Sequence, residues 1–217
     1  MKKVIFIGVL ILLAIIIPIL MIVCTPEFDP CDAQYMAKPV IYLYPEDETD
    51  VEVKLEVAGE LTCTYPAYNG GWKVTAQPDG TIYNHADQRT YSYLFWEAAD
   101  IEADYDMSKG FVVKGEDTAS FLQEKLAYLG LAPHEYNEFI VYWLPLMQEN
   151  PYNLITFQTD AYTERAKLQI TPQPDSVLRV FMVYTALDEP IAVEEQKLTP
   201  FVREGFAVIE WGGEIRK

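Results

Sequence analysis

Hydrolysis of a glycosidic bond needs two carboxylates flanking the sugar, with aromatic rings nearby to hold it. One stretch of the chain offers those residue types together: the aromatic run YSYLFWE ends in Glu97, and DIEADYD (Asp100–Asp106) follows closely. Tyr68 and Trp72 lie upstream, Tyr93 and Trp96 within the run. Tyr68, Trp72, Tyr93, Trp96 and Glu97 are therefore the candidate ligand-binding residues. Their ring faces can stack on a sugar or a peptide, and the carboxylate can accept from hydroxyls. Strict alternation would put Tyr91, Tyr93 and Phe95 on one face of a strand and Ser92, Leu94 and Trp96 on the other. One of these sets must be core. With 33 acidic residues in the chain, some fall beside a tryptophan in any arrangement, and a solvated acidic loop explains DIEADYD more simply. The loop also lacks the residue order and the distal glutamate of a helix–loop–helix calcium site.

Other chemistries are poorly supplied. His85 and His134 are the only imidazoles in 217 residues. A zinc protease helix needs H-E-x-x-H, and His134-Glu135 is followed by Asn137 and Glu138 instead. No metal and no cofactor is expected, and no G-x-S-x-G nucleophile turn occurs. Phe139, Tyr142 and Trp143 make a helical stripe of the kind that packs into a core. Cys31 and Cys63 are a disulfide candidate in an oxidising compartment, a bridge worth roughly 3–4 kcal/mol on chain-entropy grounds. Two unpaired thiols fit the sequence as well.

The compartment is read from the N-terminus. Val4 to Val23 is a run of twenty residues without charge, long enough at about 1.5 Å per residue to cross about 30 Å of hydrocarbon. Lys2 and Lys3 precede it, and Glu27, Asp29 and Asp32 follow it. The positive-inside rule then predicts a single-pass signal anchor in the cell membrane with the remainder outside. A cleaved secretion signal is the rival reading, but no small residue stands at the cleavage position. Lipid attachment at Cys24 is another, although Val23 departs from the small residue which that signal wants before its cysteine. The expected organisation is a cytoplasmic tip at 1–3, a transmembrane segment at 4–23, a linker at 24–37 and one extracytoplasmic domain at 38–217. Beyond the apolar run, 14 basic residues face 33 acidic ones, which excludes nucleic acid as a partner. The membrane, a carbohydrate and another envelope protein are the partners that remain.

Elements follow from periodicity. KPVIYLYP (Lys38–Pro45) reads as a strand, and DVEVKLEV as a strand with one wet face. ELTCTYP follows closely enough to form a hairpin with it. GWKVTAQPDGTIYN reads as a hairpin turning at Pro78–Gly80. RTYSYLFWE (Arg89–Glu97) and GFVV (Gly110–Val113) complete the first set of strands. A helix is predicted from Asp117 or Thr118 to a Gly130 stop, and a second from Pro133, kinked or ended at Pro145. Strands resume in LITFQT, AKLQITP, VLRVFMVYTAL and GFAVIEWGG. The fold class expected is α+β: an N-terminal transmembrane helix, then a β-rich, sandwich-like domain with a helical hairpin insert.

The patterns KPVIYLYP, GFVVKGED and EFIVYWLP resemble an uncharacterised family of bacterial secreted or membrane-anchored proteins, over Lys38 to Trp211. That family has no known activity, so the resemblance implies one contiguous domain and supplies no catalytic residues. The function expected is a non-enzymatic binding or structural module at the cell surface. The alternative is an envelope- or carbohydrate-acting hydrolase using paired carboxylates, and an accessory factor for a membrane partner is a third reading.

Overall fold

The structure, a computed structural model, describes residues 35–99, 101 and 103–216. Thirteen strands form two sheets among these residues. The strands are β1 (Tyr35–Tyr44), β2 (Thr49–Val57), β3 (Glu60–Tyr65), β4 (Trp72–Ala76), β5 (Ile82–Asn84), β6 (Arg89–Tyr91), β7 (Leu94–Ala99) and β8 (Lys109–Lys114). They continue with β9 (Tyr152–Phe157), β10 (Ala166–Thr171), β11 (Ser176–Leu187), β12 (Glu194–Glu195) and β13 (Ala207–Arg216). The helices are α1 (Thr118–Leu129), α2 (Pro133–Met147) and α3 (Thr159–Arg165), with a 3-10 turn at Gly115–Asp117 leading into α1. The large sheet runs β12-β8-β9-β11-β13-β1-β7-β3 and the small one β10-β2-β4-β5-β6.

Burial separates three layers. Ile41, Leu43, Phe181, Val183 and Val208 of the large sheet pack with Val51, Val53, Trp72, Val74 and Ile82 of the small sheet. On the opposite face Val40, Tyr42, Val180, Met182, Ile209 and Trp211 pack with Leu122, Leu126, Phe139, Trp143 and Met147 of α1 and α2. Alternation along β1 and β11 thus feeds both cores, which is why VIYL and VFMVY read as unbroken apolar runs. β2 has one covered face, so its polar residues alternate. The helix pair is an excursion between β8 and β9, which lie side by side and antiparallel. Gly130 closes α1 with a φ of 109°, the left-handed conformation that glycine adopts without strain. Pro145 lies inside α2, which continues to Met147. Trp143 presses so close to β13 that a Cβ on Gly213 would stand 2.7 Å from its ring and 2.6 Å from the Met182 carbonyl oxygen.

Several expectations are corrected here. Strand accounts for 46% and helix for 21%, the balance of a β-rich domain rather than an α+β one led by a membrane helix. Among the described residues no helix is long and apolar enough to cross a membrane. The segment expected to span, residues 4–23, lies outside the described residues, as does Cys24. β1 begins at Tyr35, within the stretch read as linker. The hairpin expected between DVEVKLEV and ELTCTYP does not form: β2 pairs with β10 and β4, while β3 pairs with β7 in the other sheet. RTYSYLFWE is two strands, since β6 pairs with β5 in the small sheet and β7 with β1 and β3 in the large one. The chain changes sheet at Ser92–Tyr93. The helix α3 has no counterpart in the sequence reading.

One buried acid gives the domain a pH dependence. Glu214, on β13, is 1% exposed. Burial pushes its carboxyl up from the ordinary 4.5 to about 7, against the downward pull of Arg216, 3.2 Å away, and of the Tyr105 hydroxyl. A raised carboxyl favours the fold below the ordinary glutamate value, and that advantage is lost as pH rises through about 7. Wild type should therefore lose stability relative to Glu214→Gln between about pH 5 and pH 8, read from urea midpoints. A constant difference across that window would show that Glu214 titrates as an exposed glutamate does.

Candidate functional site: a tyrosine cleft where the layers meet

The residues picked from the sequence part company in the fold. Trp72 is 1% and Trp96 0% exposed, so neither presents a ring face to a ligand. The indole of Trp72 donates to the Pro66 carbonyl oxygen at 2.9 Å, and that of Trp96 to Glu210 Oε1 at 3.1 Å. Tyr68 lies edge-on to Trp72, its hydroxyl accepting from the Leu55 N–H and donating to the Leu55 carbonyl. These three belong to the sandwich, because an inward-facing indole is satisfied there by a carbonyl or a carboxylate. Glu97 is half-buried on the helix-side face and accepts from the Lys38 N–H at 3.2 Å. Cys63 is exposed on β3, and Cys31 lies outside the described residues. His85 meets Thr75 on the small sheet. Within DIEADYD, Ile101, Ala103 and Tyr105 are core, and Asp106 accepts from the Ser108 N–H and hydroxyl. No cluster suited to a metal ion occurs among the described residues.

Of the five, Tyr93 lines a cleft. The cleft, of about 360 Å³, is lined by Tyr65, Thr81, Thr90, Tyr91, Ser92, Tyr93 and Glu138. Its position follows from the sheet switch. Tyr91 ends β6 in the small sheet, Ser92 and Tyr93 bridge to β7 in the large one, Tyr65 ends β3, and Glu138 comes from the second turn of α2. All three layers therefore contribute a wall.

The rings are held edge to face. Tyr65, 58% exposed, stands at 76° to Tyr91 with centroids 5.1 Å apart, and Tyr93 stands at 68° to Tyr42 at 5.5 Å. The hydroxyls are anchored on carboxylates: Tyr91 donates to Asp87, and Tyr42 donates to Glu138 Oε2 at 3.0 Å. The Asp87 hydrogen bond pushes the Tyr91 phenol up to about 12. Burial, then the Glu138 charge, raises Tyr93 and Tyr42. The Tyr91, Tyr93 and Tyr42 phenols thus keep their protons at neutral pH. The tyrosines can stack and hydrogen-bond, but they are not poised as nucleophiles.

A buried latch fixes α2 behind the cleft. Glu135 is fully buried and accepts from the Tyr44 hydroxyl at 2.7 Å, from the Ala132 N–H at 2.7 Å and from both terminal nitrogens of Arg203. Arg203 also donates to the Gly130 carbonyl oxygen at 2.9 Å. The Tyr44 hydroxyl lies 2.8 Å from His134 Nε2. Glu138 is one turn further along the same helix. A roomier groove of about 610 Å³ runs between α1 and residues 195–198. Its central amide, Gln196, is already engaged with the N–H and C=O of Phe157.

Sequence reasoning missed Glu138, Tyr65 and Thr81. The signal for Glu138 lay in HEYNE, where it was read only as the wrong residue for a second zinc ligand.

A stretch of 63 residues is 49% identical to an uncharacterized protein in the bglA 3' region of Butyrivibrio fibrisolvens, covering 28% of this chain and 64% of that protein. The chain thus spans slightly less than two thirds of the curated relative's length. No family model matches the chain, and no solved structure matches it.

Proposed function

We propose that the domain is a non-enzymatic binding module whose tyrosine cleft takes a carbohydrate-class ligand. The observation that supports this is the cleft's make-up at the sheet switch: ring faces from Tyr65, Tyr91 and Tyr93, hydroxyls from Thr81, Thr90 and Ser92, and the Glu138 carboxylate. Flat rings match the apolar faces of a sugar, while hydroxyl and carboxylate oxygens match its O–H donors. Glycosidic cleavage would need a second carboxylate across the bond, and Glu138 is the one carboxylate among the described residues lining the cleft. Binding without turnover is the reading that this lining favours.

Calorimetric titration of the full-length chain with a panel of soluble oligosaccharides tests it. One sugar class should bind, and Tyr65→Ala and Tyr93→Ala should each weaken that binding about five- to thirtyfold, as loss of about 1–2 kcal/mol of aromatic contact implies. Tyr65 is largely exposed, so its truncation should leave the melting temperature nearly unchanged. Binding that ignores both substitutions would place the site elsewhere.

A further inference from the structure

We infer that the group seated in the tyrosine cleft is a cation: an ammonium carried on an amino sugar or as a methylated amine. The inference rests on the cleft being the binding site and concerns what its chemistry selects. Seven residues line it, one carries a full negative charge, and none is a lysine or arginine. Tyr42 donates to Glu138 Oε2, leaving Oε1 without a hydrogen bond from the described residues. A carboxylate in a partly closed cleft with no fixed counter-cation repels anions and is left under-compensated by a neutral sugar. An ammonium compensates it directly through a charge-assisted hydrogen bond.

The rings point the same way. Tyr65 and Tyr91, both of which line the cleft, meet at 76° with centroids 5.1 Å apart, so they form no extended flat platform, and Tyr65 is the ring left most open. The open face of Tyr65 offers a compact positive group a cation–π contact at the same place where it would stack on a sugar ring. The wider field agrees, since the chain carries a formal charge of −17, and such a surface draws cations toward its clefts.

The test uses matched pairs of probes on the full-length chain. Choline is compared with its uncharged carbon analogue 3,3-dimethylbutan-1-ol. Glucosamine, measured at about pH 6 where a primary amine is charged, is compared with N-acetylglucosamine. Each charged probe should bind at least tenfold more tightly than its neutral partner. Glu138→Gln should erase that ratio, while Tyr65→Ala should weaken every probe that binds. The advantage should also shrink as salt is raised, because the attraction is screened. Tighter binding of choline would assign the methylated amine, and tighter binding of glucosamine the amino sugar; either supports the inference. Neutral probes binding as well as charged ones would overturn the cation while leaving the carbohydrate reading intact. A charge preference that survives Glu138→Gln would overturn the assignment to this cleft. If none of the four probes and no oligosaccharide of the panel binds, both readings fall. Should Glu138→Gln melt early, the exposed Tyr65→Ala variant still decides whether the cleft is the site.

Discussion

Glu210→Ala should destabilise the domain by about 3–5 kcal/mol, the usual cost of stripping one partner from a buried ion pair. For a chain of this size that is a fall in melting temperature of roughly 6–20 °C. Glu210 is fully buried on β13, directly opposite Arg179 on β11. Its Oε2 accepts from Arg179 Nε, and its Oε1 accepts from the Trp96 indole. Arg179 also donates to the Ala166 carbonyl oxygen at 2.6 Å and lies 4.5 Å above the ring of Tyr162. That ring in turn stacks on Phe181 with centroids 4.2 Å apart. Truncation would leave a guanidinium at 9% exposure without its counter-charge, and an indole without its acceptor. Neither can reach water without opening the sandwich. The double variant Arg179→Met/Glu210→Leu should recover most of the loss, because it removes the stranded charge as well as the pair. Urea unfolding of the three variants decides the matter. A loss below about 1 kcal/mol for Glu210→Ala would mean that Arg179 is solvated in solution.

This pair also shows what a linear reading can see. Alternation in DVEVKLEV states that one face of β2 is wet, and the two-sided runs of β1 and β11 state that they are covered twice, because burial of a side chain is a local property of residue type. The Gly130 stop is legible for the same reason, since a left-handed turn selects glycine locally. Which sheet a strand joins is not local. RTYSYLFWE keeps its aromatic character straight through Ser92–Tyr93, and nothing in its period marks the point where the chain crosses between sheets. Strict alternation holds within β7, where Leu94 and Trp96 are sandwich core and Tyr93 and Phe95 lie on the helix side, but it fails across the switch, because Tyr91 joins the sandwich core and parts from Tyr93. The helix α3 hides for another reason: at seven residues it is too short for a helical period to stand out, and its one buried side chain, Tyr162, is placed by tertiary contacts. The cleft itself needed the longest step. The Tyr42–Glu138 hydrogen bond spans 96 residues of sequence, a separation across which residue type alone gives no pairing.

The latch on α2 should prove the second large sensitivity, and the one that joins stability to binding. Glu135→Ala should cost about 2–4 kcal/mol, below the full price of a buried ion pair because Arg203 keeps 28% side-chain exposure and can be partly rehydrated. The lost carboxylate leaves the Ala132 N–H without its acceptor, a penalty of roughly 1–3 kcal/mol if it stays buried, while the Tyr44 hydroxyl keeps His134 Nε2 at 2.8 Å. Arg203→Ala should cost at least as much, since it strands a fully buried carboxylate with only Tyr44 and Ala132 left to donate to it. A double-mutant cycle between the two should show a coupling of about 1–3 kcal/mol. Because Glu138 follows Glu135 by three residues on the same helix face, slack in the first turn displaces the one carboxylate that lines the cleft among the described residues. Glu135→Ala should therefore weaken charged probes more than neutral ones at a temperature where the domain is still folded. Unchanged affinity in a destabilised variant would separate the latch from the site. A joint loss would show that the buried glutamate at the start of α2 holds in register the half-buried one that meets the ligand.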